Sequence, residues 1–222
     1  MKSKRANKNN IDMSYHPTLA VYNKLAKSYD QRNKMIERLM SKVRPILSNL
    51  RGDILEVGVG TGNNLVYYHP EANIVAFDWS TEMISQAKLK IKRYGLNNVK
   101  DIVIGDIQKL SEYFAPKSFD YVISSCVFCS VPDPILGLRE VFKVLRPSGK
   151  FIQIEHGLSQ IDFLNVLLFF IDPLTSKKFG FHINRNHLKN LESTNLKIIH
   201  QRKLDPTGIF RLIVSEKSVI RN

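Results

Sequence analysis

The chain has 222 residues, 43% hydrophobic and 24% charged, with a formal net charge of +13 and only two cysteines. That length supports one α/β domain with a sizeable core, and two cysteines exclude a disulfide framework and point to a reducing compartment. The positive charge favours contact with something anionic, such as nucleic acid, a membrane surface or an acidic metabolite, though it also fits plain solubility.

Residues 1–12 are polar and basic (Lys2, Lys4, Arg5, Lys8) and read as a disordered arm rather than a signal peptide, so the expected location is cytoplasmic, with peripheral membrane contact as a variant. Residues 13–50 form an expected helical cap. From Leu19 to Leu50, apolar side chains including Leu25, Ile36, Leu39, Val43 and Leu47 recur at three- and four-residue steps, and Pro45 breaks the pattern near its end. Beyond Gly52, short apolar runs alternate with helical patterns. Strands are expected at Ile54–Val57, Ile74–Phe77, Ile102–Ile104, Tyr121–Ser124 and Phe151–Ile154, with two more near Leu196–His200 and Ile209–Val214. Helices are expected at Asn63–Tyr68, Thr81–Tyr94, Ile107–Tyr113 and Pro134–Leu145. This alternation predicts a mainly parallel sheet with helices on both faces.

The first strand runs into three glycines, in Asp53-Ile-Leu-Glu-Val-Gly-Val-Gly-Thr-Gly62. Glycine permits positive φ and a close ligand approach, and the loop lies at the carboxyl end of a strand, where open α/β sheets bind ligands. The dinucleotide fingerprint is G-x-G-x-x-G; here Asn63 stands in place of its third glycine. Glu56, two residues before the first glycine, would repel a pyrophosphate and suits a cationic amino-acid ligand. The second strand ends in Asp78, 20 residues after Gly58. A carboxylate there can accept hydrogen bonds from ribose hydroxyls, with Trp79 placed to stack on adenine. The alternative for Asp78 is a helix N-cap, but Ser80 or Thr81 is better placed for that. Asp106, after the third strand, can take an adenine amino group or cap the helix starting at Ile107.

Taken in order, Glu-Val-Gly-Val-Gly-Thr-Gly, Asp78, Gly105-Asp106, Ser118-Phe-Asp-Tyr-Val-Ile123 and Leu145-Arg-Pro-Ser-Gly-Lys150 resemble the successive motifs of class I S-adenosylmethionine-dependent methyltransferases over about residues 50–157. The resemblance implies a Rossmann-like sheet of seven strands, the last antiparallel, within a methyltransferase domain at 51–222. It also implies S-adenosylmethionine as cofactor. Glu56, Gly58 and Gly60 would then hold the methionine end, Asp78 the ribose and Asp106 the adenine, with Ser124 or Ser125 on the floor; Gly62, Asn63, Trp79, Ser80, Met83 and Ile107 complete the expected set. Cys126-Val-Phe-Cys-Ser-Val131 and Glu155-His156-Gly157 are similar to the methyltransferase-like thiol S-methyltransferases. Val131-Pro-Asp-Pro134 looks like bacterial phospholipid N-methyltransferases, and Tyr22-Asn-Lys-Leu-Ala-Lys-Ser-Tyr-Asp30 resembles a helix shared with the quinone-biosynthesis methyltransferases.

Cys126 and Cys129 have no second pair with which to hold zinc, and small apolar packing is their expected role; no metal is expected. His156, His182, Tyr22 and Tyr29 are candidates to act on or orient an acceptor, or else pack and hydrogen-bond. In the family, insertions between the fifth and sixth strands shape the acceptor pocket, here about 158–194. The apolar run Ile161 to Leu174 within it is too short and too acidic for a membrane span, and reads as a buried helix, an apolar lid or a helix dipping into a surface. The expected acceptor is a small molecule or lipid-like. A nucleic-acid acceptor is disfavoured because the Asn/Asp-Pro-Pro-Tyr/Phe signature is missing; cofactor binding without catalysis is the remaining alternative.

Overall fold

The computed structural model describes residues 16–217, so the expected arm and the first residues of the cap lie outside it. Seven strands form one sheet: β1 Gly52–Val57, β2 Ala72–Asp78, β3 Val99–Ile104, β4 Phe119–Ser125, β5 Leu145–His156, β6 Leu196–Lys203 and β7 Phe210–Lys217. Their order is β3-β2-β1-β4-β5-β7-β6. β7 runs antiparallel to both neighbours, and the other pairings are parallel. The expected seven-stranded, mainly parallel sheet is therefore the observed one.

Alternation along the strands feeds two cores. On one face Leu55, Val57, Phe77, Val122 and Phe151 meet Leu138 and Val141 of α6 (Pro134–Val144) and Leu191 of α8 (His187–Glu192). On the other, Ile54, Ile74, Ala76, Ile123 and Ile152 meet Met40, Val43, Leu47 and Ile84. Ile84 belongs to α4 (Thr81–Tyr94), which Ser80 caps by accepting a hydrogen bond from Met83 N–H and which Gly95 closes in the left-handed region. The chain reverses its direction of progress across the sheet between β1 and β4, which opens a crevice at their carboxyl ends.

Three local expectations need correction. The cap is not one helix but α1 Pro17–Leu25, a 3₁₀ turn, α2 Tyr29–Arg32, α3 Lys34–Met40 and a 3₁₀ turn Arg44–Asn49. Its breaks fall where Ser28 Oγ and Asn33 Nδ2 turn back to bond local carbonyls. The helix expected at Asn63–Tyr68 is only a 3₁₀ turn, Leu65–Tyr67. Asn64 turns inward there to bond Glu56 and Ser125, and Pro70 follows closely. The segment expected as a helix from Ile107 is a 3₁₀ turn, Ile107–Lys109, continued by α5 Leu110–Tyr113.

Candidate active site

Two clefts open at the carboxyl end of the sheet. The first, about 650 Å³, is lined by Gly58, Gly60, Asp78, Trp79, Met83, Asp106, Ile107 and Ser125 among others. Thus eight of the thirteen residues expected to bind cofactor surround one space.

Backbone geometry shapes this cleft. Gly58, Gly60 and Gly62 all have positive φ. Asp78 is buried and fastens the glycine loop: its Oδ2 accepts from Gly60 N–H and its Oδ1 from Ser80 N–H, both at 2.8 Å. Each carboxylate oxygen keeps a further acceptor position. Asp106 caps the turn after β3, accepting from Gln108 N–H at 2.9 Å, and still lines the cleft. Capping and ligand binding are therefore compatible at this position.

Five expected residues lie elsewhere. Glu56 and Asn63 line the second cleft. Gly62 packs the loop against α4, where a Cβ would stand 3.3 Å from Ala87. The Ser80 hydroxyl caps α4 and donates to Asn23 Oδ1 at 2.6 Å. Ser124 points the other way and donates to buried Glu155 at 3.0 Å, because side chains alternate along β4.

The second cleft, about 1330 Å³, shares Tyr22, Tyr29, Gly58, Gly60, Ser125 and Cys126 with the first and extends past Leu25, Ile36, Met40, Cys129, His156, Phe179 and Phe181. One side of its wall is thus apolar, while Arg32, Asn33, Glu37, Arg44, Glu56, Thr61, Asn63 and Asn64 make the rest polar. Cys126 adopts φ of +54°, unusual for a side-chain-bearing residue and a conformation that recurs at functional sites. The two cysteines therefore line the cleft rather than merely packing the strand. Burial pushes both thiols well above their ordinary range, so neither is a thiolate at neutral pH.

The catalytic candidates separate. Tyr22 hydrogen-bonds Ser130 Oγ at 2.6 Å, and its ring lies 6.3 Å from that of Tyr29. Burial raises both phenols, so they stay protonated and can orient a ligand but not accept its proton. His156 lines the second cleft between Phe181 and Phe210, and burial lowers its pKa to about 4. A neutral imidazole that is so weak a base is poorly matched to base catalysis near pH 7. His182 lines neither cleft. Its Nδ1 lies 2.8 Å from buried Asp172 Oδ2, which ties the segment after the helix Asp162–Phe179 back onto that helix.

The sequence reading missed several supporting groups. Asp30, at the start of α2, accepts from Thr61 Oγ1 at 2.7 Å and Asn63 Nδ2 at 3.1 Å and pairs with Lys90 of α4, clasping the cap to the glycine loop. Buried Arg44 joins Asn64 Oδ1 to a bidentate pairing with Glu37. Only Asp30 had a signal, as the last residue of the quoted Tyr22–Asp30 run.

Glu56 is fully enclosed. Asn64 donates to Oε1 at 2.9 Å, whereas Oε2 is buried without a partner, the Tyr68 hydroxyl facing it outside hydrogen-bonding geometry. Burial lifts Glu56 to about 7 and Asp78 to about 6. An unpaired buried carboxylate oxygen beside an open glycine loop is a place for a cationic donor.

Residues 55–153 match the family described as a methyltransferase domain, Methyltransf_11. The human thiol S-methyltransferase TMT1A is 31% identical over 180 residues, covering 74% of this chain and 72% of its own length. The chain belongs to the class I S-adenosylmethionine-dependent methyltransferases. The phosphatidylethanolamine N-methyltransferase of Cereibacter sphaeroides is 27% identical over 168 residues, 73% of this chain and 78% of its own. The mitochondrial methyltransferase OMS1 of Saccharomyces cerevisiae is 26% identical over 222 residues, 92% of this chain but 47% of its own, so the chain spans about half of that relative. Among solved structures, a methyltransferase of Bacillus halodurans superposes with a TM-score of 0.66 at 18% identity, over 81% of this chain and 98% of its own; it speaks to the fold.

The donor of this family is S-adenosylmethionine, and the residues present fit it. Asp78 and Asp106, which line the first cleft, suit its ribose hydroxyls and adenine amine, and Glu56, which lines the adjoining second cleft, suits its ammonium. Trp79, Met83 and Ile107 offer apolar surface to the base. Gly60 leaves room for close approach, since a Cβ there would meet only Gly58 O at 4.0 Å.

Proposed function

We propose that this methyltransferase acts on an amphiphilic, lipid-like acceptor seated in the second cleft, with the donor in the first. The observation that carries this reading is that the two clefts join at Tyr22, Tyr29, Ser125 and Cys126, and that the second continues along Leu25, Ile36, Met40, Phe179 and Phe181. The apolar wall holds a hydrocarbon-like body and leaves the nucleophilic atom at the junction.

S-adenosylmethionine supplies a methyl group on a sulfonium, transferred in line with departure of the thioether. The chain's task is to fix that line and exclude water. Asp78 and the glycine loop set the donor's position; Tyr22, braced by Ser130, and Tyr29 orient the acceptor. Positioning of this kind can supply roughly 7–11 kcal/mol of barrier reduction. With the thiols and phenols protonated and His156 a weak base, the site favours an acceptor that arrives with its lone pair free. The phosphatidylethanolamine N-methyltransferase among the relatives is in keeping with a lipid-like acceptor. Transfer of tritiated methyl groups into the lipid fraction of a cell extract supports the reading; label confined to RNA, protein or water-soluble metabolites overturns it.

A pH dependence follows from Glu56 and Asp78. Burial raises both, so the folded protein without ligand keeps protons that the unfolded chain has lost above about pH 4. Their contribution to stability therefore falls as pH rises from about 4 to 7 and is constant above that. Binding a cation favours the ionised carboxylates and reverses the preference. Affinity for S-adenosylmethionine should rise at least about tenfold from pH 5 to 7.5, with proton release. Calorimetry in two buffers of different ionisation enthalpy measures this; an affinity that is flat with pH contradicts it.

A further inference from the structure

The helix α7, Asp162–Phe179, follows β5 and presents its apolar side outward. Phe163, Val166, Leu167, Phe170 and Leu174 recur at three- and four-residue steps, which places them in one stripe. Phe163 is 70% exposed, Phe170 81% and Leu174 64%, with Val166 and Leu167 exposed as well. The opposite side carries the polar anchors: Asp172, the helix's one buried residue, receives His182, Ile183 N–H and Asn184 N–H, and Asn165 bonds the Ser159 backbone. Polar groups thus face the protein and phenylalanines face out, the reverse of an ordinary surface helix. A stripe of this kind marks a docking surface.

We infer that α7 is a docking face for an anionic lipid bilayer, which delivers the acceptor to the second cleft; the delivery rests on the acceptor reading above. Charge selects this occupant. The stripe ends in exposed Lys177 and Lys178, one turn beyond Leu174. Across the cleft, whose lining includes both Phe179 and Arg32, α3 exposes Lys34 and Arg38 on either side of Met35, itself 84% exposed. Apolar side chains flanked by cations match acyl chains beneath anionic headgroups. A second copy carrying the same net charge of +13 would be repelled where the bilayer is attracted. Because Phe179 ends α7 and also lines the cleft, the docking face and the acceptor site are continuous.

The test is co-sedimentation of the full chain with vesicles of phosphatidylcholine alone or with added phosphatidylglycerol. Binding should be strong only to the anionic vesicles and should weaken with salt. The double substitution Phe170→Asp and Leu174→Asp should reduce it at least tenfold, and Lys177→Glu with Lys178→Glu several-fold. Thermal midpoints and S-adenosylmethionine affinity should stay unchanged in both variants, since these side chains face outward and line neither cleft. Equal binding by the Asp variant, or no binding to anionic vesicles, overturns the inference. So does a dimer in light scattering that the Asp variant dissolves, which would assign the stripe to a second copy. Methyl transfer to a detergent-dispersed acceptor without vesicles reads the acceptor proposal separately: docking can fail while that activity persists.

Discussion

Asp78→Ala should lower the affinity for S-adenosylmethionine by at least about a hundredfold. The carboxylate accepts from Gly60 and Ser80 N–H at 2.8 Å each, so it holds the glycine loop in shape while facing the cleft. Hydrogen bonds to a charged group contribute about 1.5–3 kcal/mol each, and about 1.4 kcal/mol is a factor of ten in binding. Losing the loop's anchor and the ribose contact together therefore exceeds two decades. Asp78→Asn keeps one acceptor and the same shape and should lose distinctly less. Titration calorimetry on both variants, with thermal midpoints as the folding control, decides it. Unchanged affinity in the alanine variant would remove Asp78 from the donor site.

Gly58→Ala should destabilise the fold by about 2–5 kcal/mol, whereas Gly60→Ala should mainly weaken donor binding. Both glycines have positive φ, which costs a side-chain-bearing residue roughly 1–2 kcal/mol. At Gly58 the new Cβ would stand 2.4 Å from Val127 Cγ2 and 2.8 Å from Cγ1, adding an overpacking cost of about 1–3 kcal/mol. For a domain of this size the thermal midpoint should fall by about 5–15 °C. At Gly60 the Cβ meets only Gly58 O at 4.0 Å and occupies ligand space. Val127→Ala should recover part of the Gly58→Ala loss, because the two positions share the contact. Equal midpoints for the two glycine variants, or no recovery with Val127→Ala, would refute this account of the loop.

Much of the first cleft was legible because it is written locally. A strand, a glycine loop and a carboxylate 20 residues on are each specified by neighbours in sequence, and the parallel sheet brings their ends together wherever the helices pack. The same logic misread Asn63–Tyr68 as a helix, because the Asn64 side chain is claimed by Glu56 and Ser125 across the loop. It could not tell Ser124 from Ser125, since which of two successive residues faces the crevice depends on the register of β4 between β1 and β5.

The sequence by itself determined the seven-stranded architecture, the methyltransferase family and eight of the residues that line the first cleft, because strand and helix periodicities and glycine chemistry act over a few residues. Only the tertiary structure decided that Asp30 clasps the cap to Thr61, Asn63 and Lys90, that His182 serves Asp172 while His156 reaches the second cleft, and that the stripe of α7 faces outward. An apolar helix has the same composition whether it packs on a sheet or lies against another surface. Its orientation is set by where distant polar partners, here His182 and the backbone of Ile183 and Asn184, anchor its few polar residues.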